Sequence, residues 1–323
     1  MGGSSSFNSS QVSSYYSRHS RSINSGNVEK IYRKDTVIDS MNPLKSKLPR
    51  EACDSPACPD SRAVAIFYDT TASMNDFLFD LVSNQMKKIP VELPESVSFD
   101  PQILFGGVND IRGYCGSDNP LQAGQFEAEF NRMIEQLTSI YIEGGGSGNG
   151  SESYILAYYF AARYTKLESL EKRGKKGFLL VIGDDGPTPD VTPDEIYRTF
   201  GKKDPEFFGK LSAEDVLQLA KEKFYVYQII VHGDAYLHDS SIVPAWKNLL
   251  GGHAIDLEDY TAISSLICTI LRMYDGMSKT DALNELSYTA EQEVIRRALD
   301  DHEEIVNTAD AVIVPVEEEI EDF

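Results

Sequence analysis

Continuous apolar runs alternate along this chain with stretches in which apolar residues recur every three or four positions. Short continuous runs are typical of strands buried on both faces, and the longer spacing is typical of helices that pack on them. Strands are predicted at 62–68, 102–105, 177–182, 224–231 and 253–257, and helices at 73–89, 125–139, 153–165, 212–222, 242–250 and 263–274. The alternation predicts an α/β fold: a doubly wound, mostly parallel sheet with helices on both faces.

The segments outside this pattern differ from it in composition. Residues 1–28 are rich in Ser, Gly and Asn and are predicted to form a disordered tail, and residues 29–61 a partly ordered arm. Residues 62–277 carry the alternating pattern and form the predicted domain. Residues 278–323 contain a further helical pattern, at 279–305, and then an acidic tail with a short apolar patch. Such a tail is usually solvated and mobile, although it could also dock on a basic groove of a partner. Flexible extensions are therefore predicted on both sides of the domain.

Polar residues lie just after two of the predicted strands. Asp69, Thr71 and Ser73 follow the first strand, and Asp184 follows the third, with Asp185 as its alternate. The carboxyl ends of parallel strands meet at one edge of an open sheet, which is where such folds bind ligands. Carboxylates and hydroxyls are hard oxygen ligands of the kind that Mg²⁺ takes, with water completing its octahedron. The sequence therefore predicts a site for Mg²⁺ or Mn²⁺ at this edge.

A glycine-rich loop at 144–153 lies between these two segments and leads into the next predicted helix. Asn149 is the residue of this loop that is predicted to bind the metal ion, with Ser147 and Ser151 as alternates. Glycine-rich backbone permits close approach to an ion or to a partner group. Glu152 is interpreted as a residue that only stabilises the first turn of its helix through the helix dipole.

Taken together, the three loops resemble those of the von Willebrand factor A-type domain, in its intracellular bacterial and phage branch. That family holds a divalent cation at a metal-ion-dependent adhesion site. Its first loop, Asp-x-Ser/Thr-x-Ser, is matched by Asp69, Thr71 and Ser73, and its third loop by Asp184. The second loop departs from the pattern, because Asn149 stands where a variant of the family carries Asp. The three motifs together are more specific than any one of them alone.

The resemblance, which covers roughly residues 61–275, implies a Rossmann-like domain that binds other proteins and is not an enzyme. In such a domain the cation keeps one coordination position open for a carboxylate of the partner. Members of the wider group often act beside AAA+ ATPases of the MoxR type, as adaptors or scaffolds. The resemblance therefore implies a cytoplasmic, Mg²⁺-dependent interaction module, with an AAA+ ATPase as one implied partner.

Two other interpretations apply to the first loop. It also resembles the phosphorylation loop of the haloacid-dehalogenase-like phosphatases and phosphotransferases, in which the first Asp is a nucleophile beside Mg²⁺. Asp69 would then form an aspartyl phosphate, and Asp184 would belong to the later metal motif. Hydrolases of that family carry a second Asp two residues after the first, where this chain has Thr71. The simplest interpretation is structural, since an Asp at this position can cap the following helix.

The formal net charge of −21, from 51 acidic and 30 basic residues, limits the partners that the chain is expected to bind. A field of that sign opposes phosphate backbones and anionic lipid surfaces, so nucleic acid is not an expected partner. No run of about 20 apolar residues is present, so no membrane span is predicted. Four cysteines without a clear disulfide or zinc pattern favour reduced thiols and a cytoplasmic location.

Overall fold

The computed structural model describes residues 36–74, 96–112, 116–142 and 151–302, and within 75–95 it describes positions 77, 78, 80, 81, 84, 85, 89 and 93. The predictions for residues 1–28, for most of the glycine-rich loop and for the tail beyond residue 302 lie outside this part of the chain. The predicted helix at 73–89 lies inside it only in part.

A mostly parallel six-stranded sheet forms the centre of the described structure. The strands are, in chain order, β1 (Arg50–Ala52), β2 (Ser61–Asp69), β3 (Asp100–Val108), β4 (Leu121–Ala123), β5 (Ser151–Glu152), β6 (Thr165–Leu167), β7 (Gly177–Gly183), β8 (Gly186–Pro187), β9 (Asp190–Val191), β10 (Leu211–Ser212), β11 (Phe224–Val231) and β12 (Ala254–Leu257). The central sheet has the order β12–β11–β7–β2–β3–β4, and its neighbouring strands are parallel except for β3 and β4. The predicted α/β class with a mostly parallel sheet is therefore confirmed, and it is consistent with a Rossmann-like fold.

Helices connect most of these strands. The α-helices of the described residues are α1 (Phe130–Leu137), α2 (Ile155–Arg163), α3 (Glu168–Arg173), α4 (Pro193–Phe200), α5 (Ala213–Lys223), α6 (Asp234–His238), α7 (Ile242–Leu250), α8 (Ile263–Tyr274), α9 (Lys279–Asn284) and α10 (Thr289–Ala298). Short 3₁₀ helices lie at Ala72–Met74, Gly251–His253 and Tyr260–Ala262. Within the described ranges, none of the helices has the length and apolar character that crossing a membrane requires.

Alternate residues of β2 belong to two separate buried clusters, which explains why the strand is apolar at nearly every position. Ile66 and Tyr68 lie in one cluster, together with Leu266 of α8. Phe67 lies in the other, where its ring meets that of Phe160 of α2 edge-on, with the centroids 5.7 Å apart. Successive side chains of a strand point to opposite faces, so a strand buried on both faces has no polar alternation.

Several elements lie outside the predicted pattern, among them β1, β6, α3 and α4. Two further differences have a clear cause. The segment between the predicted strand at 102–105 and the predicted helix at 125–139 contains β4, which has three residues and is therefore too short to produce a recognisable apolar run. The helical pattern at 279–305 is divided into α9 and α10. The division occurs because Tyr288 has extended backbone, with φ −118° and ψ 121°.

The described part of the N-terminal arm is attached to the central domain. β1 pairs in parallel with β6. The buried side chain of Arg50 donates a 2.8 Å hydrogen bond to the carbonyl oxygen of Ala123 in β4. Burial lowers the pKa of Arg50 to about 10. The arm thus covers the β4 edge of the sheet, where it satisfies exposed backbone groups.

Candidate metal centre

The first and third predicted loops meet at the carboxyl edge of the central sheet. β2 ends at Asp69, and Asp184 follows the last residue of β7. The two strands are parallel neighbours, with Tyr68 paired to Ile182, so their carboxyl ends lie side by side. The Ser73 hydroxyl donates a 3.2 Å hydrogen bond to Oδ1 of Asp184. The structure therefore places these residues of the two loops in direct contact.

Both carboxylate oxygens of Asp69 accept hydrogen bonds. Oδ1 accepts from the backbone N–H of Thr71 at 2.8 Å and from its hydroxyl at 2.6 Å. Oδ2 accepts from the hydroxyl of Tyr154 at 2.6 Å. The hydroxyl oxygens of Thr71 and Ser73 are 3.1 Å apart. The loop is thus folded around its own acid, because an Asp side chain readily bonds the backbone two residues onward.

Asp184 is fully buried, and its surroundings come from the segment after β11. Its Oδ2 accepts a 3.0 Å hydrogen bond from the backbone N–H of Ala235, at the start of α6. Gly233 lies directly against the carboxylate of Asp184, since a Cβ added to Gly233 would stand 2.3 Å from Oδ2 of Asp184. The sequence places Asp184 on a loop, where a surface position would be expected. That expectation is wrong, because the 233–235 segment closes over the carboxylate.

The second predicted loop is described only from residue 151 onward. Asn149, Ser147 and the side chain of Ser151 lie outside the described part, so their role stays a prediction. Glu152 is described, and the interpretation of it as a residue of a helix first turn is wrong. It belongs to β5, whose partner is β8, and α2 begins three residues later. Its side chain is 6% exposed, and its Oε2 has no hydrogen-bond partner among the described residues.

Burial makes the ionised forms of the acids in this region less favourable. Burial, together with the nearby charge of Asp184, raises the pKa of Asp69 to about 7, although its hydrogen bonds oppose the shift. Burial and the charge of Asp69 raise the pKa of Glu152 to about 9. Burial raises the pKa of Asp185 to about 6, and it also raises the pKa of Asp184. Within the described ranges, none of these four acids forms an ion pair with Lys, Arg or His.

Sequence reasoning did not find two residues of this region. Tyr154 is 85 positions from Asp69 in the chain, and a lone Tyr before a helix carries no signal for such a contact. Asp110 is buried beside the centre, where its Oδ1 accepts a 2.9 Å hydrogen bond from the hydroxyl of Ser153. It follows the end of β3 by two residues, so the strand-then-acid pattern that located Asp69 could have located Asp110 as well.

The residue types of this region fit a divalent cation. Carboxylates and hydroxyls are the oxygen ligands that Mg²⁺ prefers, and the buried Oε2 of Glu152 has no hydrogen-bond donor among the described residues. No group of three or more Asp, Glu, His or Cys side chains in the described ranges is close enough to hold an ion. The hydroxyls of Thr71 and Ser73, with water, would therefore have to complete the coordination.

No protein-family model matches this chain, and the curated proteins contain no significant match to it. The resemblance to the von Willebrand factor A-type domain thus rests on the motif residues of the three loops. The contact between Ser73 and Asp184 is independent of that resemblance, because it follows from the register of β2 and β7.

Proposed function

We propose that this protein is a non-enzymatic interaction module that uses Mg²⁺ or Mn²⁺ to bind a carboxylate of a partner protein. The observation that carries the proposal is the hydrogen bond from Ser73 to Asp184, which joins the first and third loops at the carboxyl edge of the sheet. Parallel sheets bind ligands at this edge. The buried acids there lack a counter-charge among the described residues, and a divalent cation would supply it.

Asp69, Thr71, Ser73 and Asp184 would hold the cation, in part through water. Asn149 of the glycine-rich loop would contribute an amide oxygen, with Ser147 and Ser151 as alternates. Asp185 and Glu152 are further acids of the same region, and a bound cation would favour their ionised forms. The cation would supply a strong, directional contact to a carboxylate of the partner.

The domain type that best fits this mechanism is a von Willebrand factor A-type domain, with a doubly wound sheet and a metal-ion-dependent adhesion site. Support comes from the six-stranded, mostly parallel sheet and from the loops that carry the motif. Within this proposal the protein acts in the cytoplasm as an adaptor or scaffold, and an AAA+ ATPase of the MoxR type is one candidate partner.

The phosphatase alternative has less support from the geometry of Asp69. The position two residues later is a threonine that hydrogen-bonds Asp69, so it cannot serve as a general acid or base near neutral pH. These observations favour a binding role for the region.

Titration calorimetry with Mg²⁺ and Mn²⁺ tests the proposal on the wild type, Asp69→Ala and Asp69→Asn. The asparagine variant keeps the shape of the side chain and removes its charge, so it separates loss of a ligand from loss of folding. We expect both variants to lose measurable binding. Asp281→Asn, at an exposed helix cap, is the matched control and should bind as the wild type does. Equal metal affinity in Asp69→Asn and the wild type would contradict the proposal.

A further inference from the structure

The carboxylate of Glu152 is buried at the metal centre without a partner that accounts for its burial. The side chain is 6% exposed, and its Oε2 has no hydrogen-bond donor among the described residues. Burying such a group costs free energy unless a partner compensates for the lost water. A buried polar atom of this kind in a native structure therefore indicates a water molecule or an ion beside it.

The backbone around Glu152 is held in place by contacts on both sides. β5, which contains Glu152, pairs in parallel with β8. The hydroxyl of Ser153 donates a 2.9 Å hydrogen bond to Oδ1 of Asp110, and the hydroxyl of Tyr154 donates a 2.6 Å hydrogen bond to Oδ2 of Asp69. Glu152 thus belongs to a fixed segment, and its next two side chains already contact acids at the carboxyl edge of the sheet.

The side chain of Glu152 lies close to the acids of the other loops. Burial is the main reason why its pKa rises to about 9, and the negative charges of Asp69, Asp110, Asp185 and Asp184 add to the shift, in that order. Among these charges, that of Asp69 in the first loop acts on Glu152 most strongly. The second loop therefore brings a carboxylate to the same place as the first and third loops.

Glu152 differs from the predicted ligands in the use of its lone pairs. A carboxylate offers about four lone-pair positions. Asp69 accepts three hydrogen bonds, and Asp184 accepts one on each of its oxygens. Oε2 of Glu152 accepts none from the described residues. Since a cation binds to free lone pairs, Glu152 is the acid of this comparison that has the most to offer in direct contact.

We propose that Glu152 is a direct ligand of the cation, and that Asp69 and Asp184 act on the cation in part through water. This assignment rests on the proposed function, because it requires a divalent cation at this edge of the sheet. No three acids of the described ranges are close enough to hold an ion together. One carboxylate, the hydroxyls of Thr71 and Ser73, and water form an oxygen set of the kind that Mg²⁺ takes.

A direct bond from Glu152 gives the second loop a defined role. Glu152 lies two residues before Tyr154, which precedes α2. The cation would join this segment to Ser73 of the first loop and Asp184 of the third, which already contact each other. A water position on the cation would remain for the carboxylate of a partner.

Titration calorimetry of the full-length protein with Mg²⁺ and with Mn²⁺ provides the first test. Glu152→Gln keeps the shape of the side chain and removes its charge. We expect its affinity to be lower than that of the wild type by about tenfold or more, because even residues that only support a metal ligand often cost about tenfold. Glu285→Gln removes the same charge at an exposed position and is the matched control, which should bind as the wild type does.

Urea titrations separate a ligand from a residue that only stabilises the fold. Without metal, Glu152→Gln should unfold at the same urea concentration as the wild type or at a higher one, because the buried charge is removed. With Mg²⁺, the variant should gain less stability than the wild type gains. A lower metal-free midpoint combined with an unchanged gain from Mg²⁺ would assign Glu152 a structural role and overturn the proposal.

Electron paramagnetic resonance of the Mn²⁺ complex in ¹⁷O-enriched water provides the second test, because it counts the water molecules bound to the ion. Glu152→Ala leaves one coordination position free, so its complex should hold about one more water molecule than the wild-type complex. Equal counts in the two proteins would show that Glu152 does not contact the ion directly, and the proposal would be wrong.

These measurements distinguish failure of this assignment from failure of the proposed function. A wild-type protein that binds neither Mg²⁺ nor Mn²⁺ contradicts the proposed function, and the assignment of Glu152 with it. Wild-type binding that Glu152→Gln leaves unchanged contradicts the assignment alone. Two bound cations in the wild type, of which Glu152→Gln removes only the second, would also contradict it, because Glu152 would then belong to a different site.

Discussion

Tyr154 donates a 2.6 Å hydrogen bond from its hydroxyl to Oδ2 of Asp69. Both side chains are fully buried, and the bond joins the start of α2 to the end of β2. Oδ1 of the same carboxylate is held by Thr71. Asp69 therefore has a fixed orientation, although burial by itself would favour its neutral form. The carboxylate of Asp69 is thus held in place at the edge of the sheet, where a cation is proposed to bind.

Tyr154→Phe should weaken Mg²⁺ binding at pH 7 by about tenfold. The substitution removes a donor that favours the ionised form of Asp69, so the pKa of that carboxyl rises and protons compete better with the metal. The loss should be smaller at pH 9, where fewer protons compete. Calorimetry at the two pH values measures both effects. Tyr158→Phe is the control, since it removes an equally buried hydrogen bond, to Gln228, away from the metal centre. Equal losses in the two variants would indicate a general effect on folding.

Without metal, the free energy of unfolding should fall as the pH rises from about 5 to 9. The folded-state pKa values of Asp185, Asp69 and Glu152 are about 6, 7 and 9, all above the values of the unfolded chain. The folded state therefore binds more protons than the unfolded state over this range, so stability is present at low pH and is lost as the pH passes through these values. We expect a decrease of at least about 2 kcal/mol. Mg²⁺ should offset the decrease, because it binds the ionised carboxylates. Urea titrations with and without Mg²⁺ measure this, and a metal-free stability that increases from pH 5 to 9 would contradict the assignment.

Gly233→Ala should weaken metal binding by about tenfold or more while the protein remains folded. The added Cβ would stand 2.3 Å from Oδ2 of Asp184, so the carboxylate has to move. The backbone of Gly233 has φ −80°, which alanine adopts without strain. Gly209→Ala is the matched control, because no heavy atom lies within 4 Å of the Cβ position there. Calorimetry for the metal and circular dichroism for the fold separate the two effects. Wild-type affinity in Gly233→Ala would show that the position of Asp184 is unimportant for the cation.

Asp184→Asn should abolish capture of a protein partner without unfolding the domain. The amide oxygen can still accept the hydrogen bond from Ala235, so the substitution removes charge and keeps the shape of the buried group. Pull-downs in moderate salt should retain the partner, since a metal-bridged carboxylate contact is short-range, and a chelator should release it. Asp185→Asn serves as a comparison at the alternate acid. Binding that is lost in salt but unaffected by the chelator and by Asp184→Asn would show that bulk charge holds the partner.

The protein should show no phosphatase or ATPase activity in the presence of Mg²⁺. Thr71 occupies the position of the second acid that an aspartyl-phosphate mechanism requires, and a threonine hydroxyl cannot act as a general acid or base near neutral pH. A generic phosphoester and ATP are sufficient substrates for the assay. Turnover that disappears in Asp69→Asn would establish the enzymatic alternative.

The sequence alone was sufficient to predict the sheet and the meeting of two of its loops. Buried strands of a parallel sheet are continuous apolar runs, so β2, β7 and β11 were visible locally. Once β2 and β7 were known to be parallel strands, their carboxyl ends had to lie at one edge. This explains why Asp69 and Asp184 could be assigned to one region from the sequence.

Only the tertiary structure decided which groups surround those acids. Tyr154 reaches Asp69 across 85 positions, and the 233–235 segment buries Asp184, because helices and loops that are distant in the chain pack over the same edge. Glu152 was assigned to a helix from its neighbours, yet pairing of β5 with β8 places it in a strand beside the other acids. The periodicity of apolar residues indicates which face of a segment is buried. The burial and the pKa of an individual carboxylate depend instead on contacts between distant segments, which no local sequence pattern encodes.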